Sequence, residues 1–200
     1  MRNTLTLMVC LLFGSMALGQ NNCNSKDFKK LFALSNQASV ADSTFTAGLK
    51  IFKKLEAGKC HDYTTKNVKH PDSVIASLTR IFGDICLKAN SRRAINEYVT
   101  YLNRHTGSAE EQLSFSFEQL FVQQPADVLS VIGTDNRLMK HLVWGFVNNH
   151  YNAGPGSSRL NIKNYNAVFY RVNPQMKQLY PKYKTQIDYL LSAIKSELKG

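Results

Sequence analysis

The sequence predicts an all-α protein, and three observations predict it. Apolar residues recur at spacings of three and four along most of the chain, as they do on one face of a helix. Residues that favour helix starts stand before these runs, and glycine often follows them. No Asn-Gly or Asp-Gly pair joins two alternating runs, so no β-hairpin is predicted. We expect about eight or nine short helices in a single domain, packed as antiparallel helical hairpins.

The first part of the chain is predicted to be a signal peptide, residues 1–19, which leaves residues 20–200 as the helical domain. Arg2 supplies a positive start, and the stretch from Leu5 to Met16 is mostly apolar. Ala17-Leu18-Gly19 places small residues at a cleavage site. The apolar stretch is too short to span a bilayer of roughly 30 Å. We therefore expect a secreted or periplasmic protein with no transmembrane segment; the alternative is a short buried N-terminal helix.

The first three helices of the domain are predicted from their starts. Asn24-Ser25 opens the first helix, and Asp42-Ser43 opens the second, which ends at Gly58. The polar residues 59–69 form a loop. His70-Pro71-Asp72 then starts the third helix, because proline is tolerated in a first turn, where its missing N–H would have no partner.

The middle of the chain contains a predicted helix whose sequence partly resembles a strand. Asn90-Ser91 opens the fourth helix, and Ser108 with Glu111 has the capping-box spacing before the fifth. Residues 113–117 alternate like a strand inside the fifth. The cap favours the helical interpretation. Pro125 then starts a short sixth helix, which ends at Gly133.

Three more helices complete the prediction. Asp135 opens a strongly apolar seventh helix, and residues 152–163 read as a flexible loop. An eighth helix is expected near residues 164–172, and the last carries an apolar stripe from Tyr183 to Leu198. Helix starts recur roughly every 17 to 20 residues without a repeating signature. An irregular bundle and a short α-α superhelix both remain open.

The net charge of the chain indicates which kinds of partner it can attract. The chain has 25 Lys and Arg against 14 Asp and Glu, a formal charge of +11. Such an excess favours anionic polymers or anionic membrane surfaces, or it serves solubility. No nucleic-acid-binding motif accompanies it.

The cysteines suggest one disulfide bond. Cys60 lies in the loop after Gly58, and Cys86 lies near a helix end, so we predict a bridge between them. The alternative is that all three cysteines of the mature chain, Cys23, Cys60 and Cys86, are reduced, with Cys86 a small buried apolar residue.

Catalytic motifs are lacking. The sequence has no nucleophile elbow, P-loop, His-Glu-x-x-His helix or zinc-type cysteine spacing. We expect no metal and no cofactor. His61-Asp62 and His70-Pro71-Asp72 allow a metal or acid–base site, but a turn and a helix start explain them better. His141 is expected to be a satisfied buried histidine, and His105 and His150 lie near helix ends.

Two basic clusters are the candidate binding residues. Arg92 and Arg93 stand at a predicted helix start, where guanidinium and backbone N–H groups can hold an anion. Lysine alternates with tyrosine near the C-terminus, a pattern that can attract a polyanion and stack on its rings. This second cluster comprises Lys177, Tyr180, Lys182, Tyr183 and Lys184. For each cluster, the alternative is a solvated surface with the tyrosines packed on the core.

These observations favour a binding or scaffold protein with a groove near the two clusters, suited to an anionic polymer or a protein partner. One alternative is a secreted hydrolase or lyase with dispersed residues such as His70, Asp72 and His141. Another is a carrier of a small apolar ligand. Its pocket would be lined by Phe115, Phe117, Phe121 and Trp144.

Overall fold

The fold was analysed in a computed structural model of the chain. The structure describes residues 25–58, 60, 62–63, 76–105, 109–151 and 159–199. The expected signal peptide, the Ser108 cap and most of the expected loop at 152–163 lie outside these residues.

Helices dominate the described residues, which confirms the all-α class. Nine helices are present in this part of the chain: α1 (Ser25–Ser35), α2 (Asp42–Ala57), α3 (Leu78–Ala89), α4 (Arg92–Arg104), α5 (Ala109–Gln123), α6 (Pro125–Ile132), α7 (Asn136–Tyr151), α8 (Tyr165–Val172) and α9 (Met176–Glu197). The stretch that alternates like a strand lies inside α5 and is helical.

Side-chain caps explain several of the helix starts. The Oγ of Ser91 accepts a hydrogen bond from the N–H of Ala94 at 3.2 Å, which satisfies one of the free donors at the start of α4. The carboxylate of Asp135 does the same for α7, accepting from the N–H of Arg137 at 2.9 Å. The predicted starts of α4 and α7 are therefore confirmed.

Two parts of the chain differ from the prediction. Asp62–Tyr63 (β1) pairs antiparallel with Ala76–Ser77 (β2), with Asp62 opposite Ser77. The third helix begins at Leu78 rather than near His70, because Ala76 and Ser77 are extended and Ser77 caps the helix. Near the C-terminus, Pro181 lies inside α9 instead of preceding it, and the backbone at Tyr183 is non-helical (φ −119°, ψ 31°). This kink is expected where proline removes a helical hydrogen bond.

The helices pack in two rows. The odd-numbered helices contact one another in the order α1, α3, α5, α7 and α9, and α4 contacts α6 in the second row. An ion pair of 2.9 Å between Lys53 and Glu97 joins α2 to α4. Contact between alternate helices is the packing order of stacked helical pairs, so the structure favours the superhelix over the irregular bundle.

Helix α5 lies at the centre and is approached closely on two faces. A Cβ on Gly83 of α3 would come within 2.8 Å of the Cβ of Ser116. A Cβ on Gly145 of α7 would overlap the backbone oxygen of Ser114. Because residues two apart on a helix point about 200° apart, the two serines serve opposite faces. Small residues at these positions let α3 and α7 pack tightly against α5.

In the described part of the chain, we find no helix with the length and apolar character needed to cross a bilayer.

Candidate functional site

The two arginines at the start of α4 lie in different surroundings. Arg93 Nη1 is 3.3 Å from both carboxylate oxygens of Asp42 and donates to Thr46 Oγ1 at 2.8 Å. Its guanidinium also lies 5.8 Å from the ring centroid of Phe45. The guanidinium of Arg93 is therefore bound to residues of α2, and it contributes to the packing between α2 and α4.

Arg92 contacts no carboxylate among the described residues. Its Nη2 donates to the Oγ of Ser130 on α6 at 3.1 Å, and the side chain is exposed. The first turn of α4 contains no acidic residue. Because the N-terminal end of a helix carries partial positive charge, Arg92 adds to a positive field that nothing in this turn offsets.

The C-terminal cluster reaches the same short helix. Tyr183 is buried, as the alternative interpretation expected, and its hydroxyl donates to the backbone oxygen of Ala126 on α6 at 3.2 Å. Ala126 and Ser130 are one helical turn apart on α6. Arg92 and Tyr183, which are far apart in the sequence, therefore bond to neighbouring turns of the same helix.

The remaining members of this cluster differ in how they are paired. Lys184 Nζ lies 2.5 Å from Asp188, and the hydroxyl of Tyr180 donates to the same carboxylate at 2.8 Å. The hydrogen bond with Lys184 lowers the pKa of Asp188, and in turn it raises the pKa of Lys184. Lys182 and Lys177 contact no carboxylate in the described chain, although Lys182 Nζ lies 5.0 Å from the ring centroid of Tyr183.

Sequence reasoning found the charged residues of this surface and predicted α6 itself, but it missed the contacts that α6 makes with Arg92 and Tyr183. Ser130 and Ala126 carry no signal of their own, because one contributes a hydroxyl and the other a backbone oxygen. The surface formed by Arg92, α6 and residues 177–184 is named the basic surface below. Arg93 and Lys184 lie beside it but are each paired with a carboxylate.

The predicted Cys60–Cys86 bridge is wrong. Cys60 is disulfide-bonded, whereas Cys86 is a free thiol, fully buried in α3. The bonding partner of Cys60 lies outside the described residues. Burial raises the pKa of the Cys86 thiol well above its usual range, so this group is a poor nucleophile.

His141 matches its prediction as a buried, satisfied histidine. It is 6% exposed, and its Nδ1 lies 2.8 Å from the Oγ of Ser114, which is 2% exposed. This pair lies in the contact between α5 and α7. Neither side chain is open to a substrate, so the pair acts in packing.

A second polar pair between α5 and α7 was not predicted. The carboxylate of Glu118 is buried and bonds to Asn149 Nδ2 at 2.7 Å and to His150 Nε2 at 3.2 Å. It lies beside a hollow of about 410 Å³ on the surface. Sequence patterns did not reveal it, because a glutamate on a helix is normally solvated. The only available signal was its place among the apolar residues Phe117, Leu120 and Phe121.

The structure gives little support to the predicted metal or acid–base site near His61 and His70. His61, His70 and Asp72 lie outside the described residues. Within the described chain, no three His, Cys, Asp or Glu side chains are grouped as a metal site requires.

The aromatic residues proposed for a carrier pocket pack elsewhere. Phe117 and Phe121 are in the core, and Phe115 packs on Trp144 with ring centroids 5.4 Å apart. Two surface hollows, of about 410 and 570 Å³, have none of these rings in their lining.

No protein-family model matches this chain, and neither does any curated protein or solved structure.

Proposed function

We propose that this protein binds an anionic polymer through its basic surface. The observation that carries this proposal is the meeting of the two basic clusters at α6, where Arg92 bonds to Ser130 and Tyr183 bonds to Ala126. Arg92 and the part of α9 that contains Lys182 and Tyr183 are thereby held against the same short helix. A polyanion can contact several of these cations at once.

The charges of this surface support a polyanion as the ligand. Arg92, Lys177 and Lys182 are exposed, and none contacts a carboxylate in the described chain. Unpaired exposed cations spread over neighbouring elements attract a chain of anionic groups and release its counterions on binding. Arg93 and Lys184 contribute less, because Asp42 and Asp188 already neutralise them.

Binding is favoured over catalysis by the state of His141, the one described residue of the proposed hydrolase set. Its imidazole is buried against Ser114 and lacks access to a polymer. General acid–base catalysis needs the group within hydrogen-bond reach of the substrate.

We also propose that the mature protein begins at Gln20 and works in the periplasm or outside the cell. The disulfide bond of Cys60 supports this, because disulfides persist in oxidising compartments. N-terminal sequencing of the protein from its source tests the proposal. A chain that still begins at Met1 or Arg2 would contradict it.

The binding proposal is tested with heparin and polyphosphate as probes and neutral dextran as the negative control. A variant carrying Arg92→Ala, Lys177→Ala and Lys182→Ala removes three unpaired cations from the basic surface. Its matched control carries Arg159→Ala, Lys29→Ala and Lys50→Ala, which removes the same charge from exposed positions on other elements. Dissociation constants are measured over a range of salt concentrations.

We expect the first variant to lose at least about tenfold in affinity for both polyanions and to show a shallower salt dependence. The control should lose less than about threefold, because only the long-range field changes. Equal losses in both variants would show that net charge, not this surface, drives binding. Failure of the unmodified protein to bind either polyanion would overturn the proposal and leave a protein partner as the better explanation.

A further inference from the structure

The buried carboxylate of Glu118 holds the side chain of His150 in one orientation. One carboxylate oxygen lies 3.2 Å from His150 Nε2, and the other accepts from Asn149 Nδ2 at 2.7 Å. A buried carboxylate is costly unless it is fully hydrogen-bonded, so these contacts stabilise Glu118 where it stands. The ring of His150 also packs on Phe146, with centroids 4.7 Å apart.

The orientation of His150 leaves one ring nitrogen available. Nε2 faces a carboxylate and therefore carries a hydrogen, so Nδ1 is an acceptor in the Nε2–H tautomer. Nδ1 has no partner among the described residues. The side chain of His150 is 24% exposed and lines the hollow of about 410 Å³. A hydroxyl group of a ligand in the hollow can donate to this nitrogen.

The rest of the lining is uncharged. Gln119 and Gln123 contribute amides that donate and accept hydrogen bonds, and Val122 and Val172 contribute apolar surface. The hollow falls within the range of about 300–1,000 Å³ that is typical of small-molecule sites. Glu118 repels an anionic ligand, and its carboxylate is only 3% exposed and already bonded by His150 and Asn149, so a cationic ligand would lose hydration without reaching it directly.

We propose that this hollow binds a small, neutral, hydroxyl-rich molecule of the size of a mono- or disaccharide. One hydroxyl donates to His150 Nδ1, other hydroxyls bond to the amides of Gln119 and Gln123, and the C–H face of the ligand contacts the two valines. Glu118 is a positioning residue that acts through His150. This site is separate from the basic surface and from its polyanion.

The test uses three probes that share one ring and differ in charge: glucose, glucuronate and glucosamine. Each is titrated to about 100 mM into the labelled protein, enough to detect a millimolar dissociation constant by NMR. We expect glucose to shift the signals of Gln119, Gln123, Asn149 and the His150 ring. The double variant Gln119→Ala/Gln123→Ala should weaken this response at least about fivefold. Gln175→Ala/Gln178→Ala, which replaces two exposed glutamines at the start of α9, is the matched control and should leave it unchanged.

A second measurement tests the positioning role without any ligand. Imidazole ¹⁵N shifts should show the Nε2–H tautomer of His150 in the unmodified protein and a mixture in the Glu118→Gln variant. A glucose response that is absent, or that survives unchanged in Gln119→Ala/Gln123→Ala, overturns the proposed site. A stronger response to glucuronate or glucosamine overturns the neutral ligand class. An Nδ1–H tautomer in the unmodified protein removes the acceptor on which the proposal depends.

Discussion

Gly145 of α7 lies directly against the backbone of Ser114 in α5, so closely that a Cβ on the glycine would overlap the serine oxygen. The backbone of a central helix cannot move aside as a side chain can. This contact sets the distance between α5 and α7, and the two polar pairs between these helices, Ser114–His141 and Glu118–His150, depend on that distance.

Replacing Gly145 with alanine should therefore lower the free energy of unfolding by about 3 kcal/mol, because the added methyl group pushes α7 from α5. Urea denaturation measures the change. Gly48→Ala is the control, since its methyl group would meet only movable side chains, those of Leu34 at 3.0 Å and Leu31 at 3.8 Å. Alanine also has the higher helix propensity, so that variant should stay within about 1 kcal/mol of the parent. Equal losses in both variants would contradict the close contact.

Cys86 should resist alkylation in the folded protein. The thiol is buried and its pKa is raised well above the usual range, so little reactive thiolate forms and reagents lack access. Iodoacetamide should label Cys86 only after unfolding, and Cys60 only after reduction. Mass spectrometry of the peptides measures both. A cross-linked peptide pair that joins Cys60 to Cys86 would contradict the structure.

Asp84 should make stability depend on pH in an unusual direction. Burial raises the pKa of this carboxyl above its ordinary value of 3.8, although Arg80 and Lys88 partly offset the effect. Asp84 therefore ionises at lower pH in the unfolded chain than in the folded protein, and its contribution to stability falls as pH rises above 3.8. Asp84→Asn should raise the melting temperature at pH 7 and have no such advantage at pH 3.

Asp188→Asn provides the opposite case for comparison. The hydrogen bond with Lys184 lowers the pKa of Asp188, so this carboxylate contributes stability above its ordinary pKa and loses it as pH falls. Its replacement should lower the melting temperature at pH 7, and by less at pH 3. Parallel behaviour of the two asparagine variants would refute the assigned directions.

Tyr183→Phe should cost about 1 kcal/mol of stability, because it removes the hydroxyl that donates to Ala126 and keeps the packed ring. Tyr189→Phe is the control, since no hydrogen bond holds its hydroxyl in the described chain. Thermal or urea unfolding gives both values. A loss in Tyr183→Phe no larger than in the control would mean that this bond does not hold α9 on α6.

The helices and most of their boundaries follow from local sequence. Ser91 and Asp135 cap helices as predicted, and Pro125 and Gly133 bound α6. These features are predictable because capping and φ preferences act between residues close in the chain. Residues 113–117 alternate like a strand because serines stand at the two positions that α3 and α7 approach. The reason for these serines therefore lies in the neighbouring helices and not in α5 itself.

The sequence alone determined the helical class, the positive charge and the identity of the basic residues, since these depend on composition and short-range pattern. The packing of the helices then determined which of those residues lie together. It paired Arg93 with Asp42, brought Arg92 and Tyr183 to the same helix, left Cys86 unbonded, and buried Glu118 beside His150. Each of these outcomes joins residues far apart in the chain, and their contacts exist only once the two rows of helices have packed.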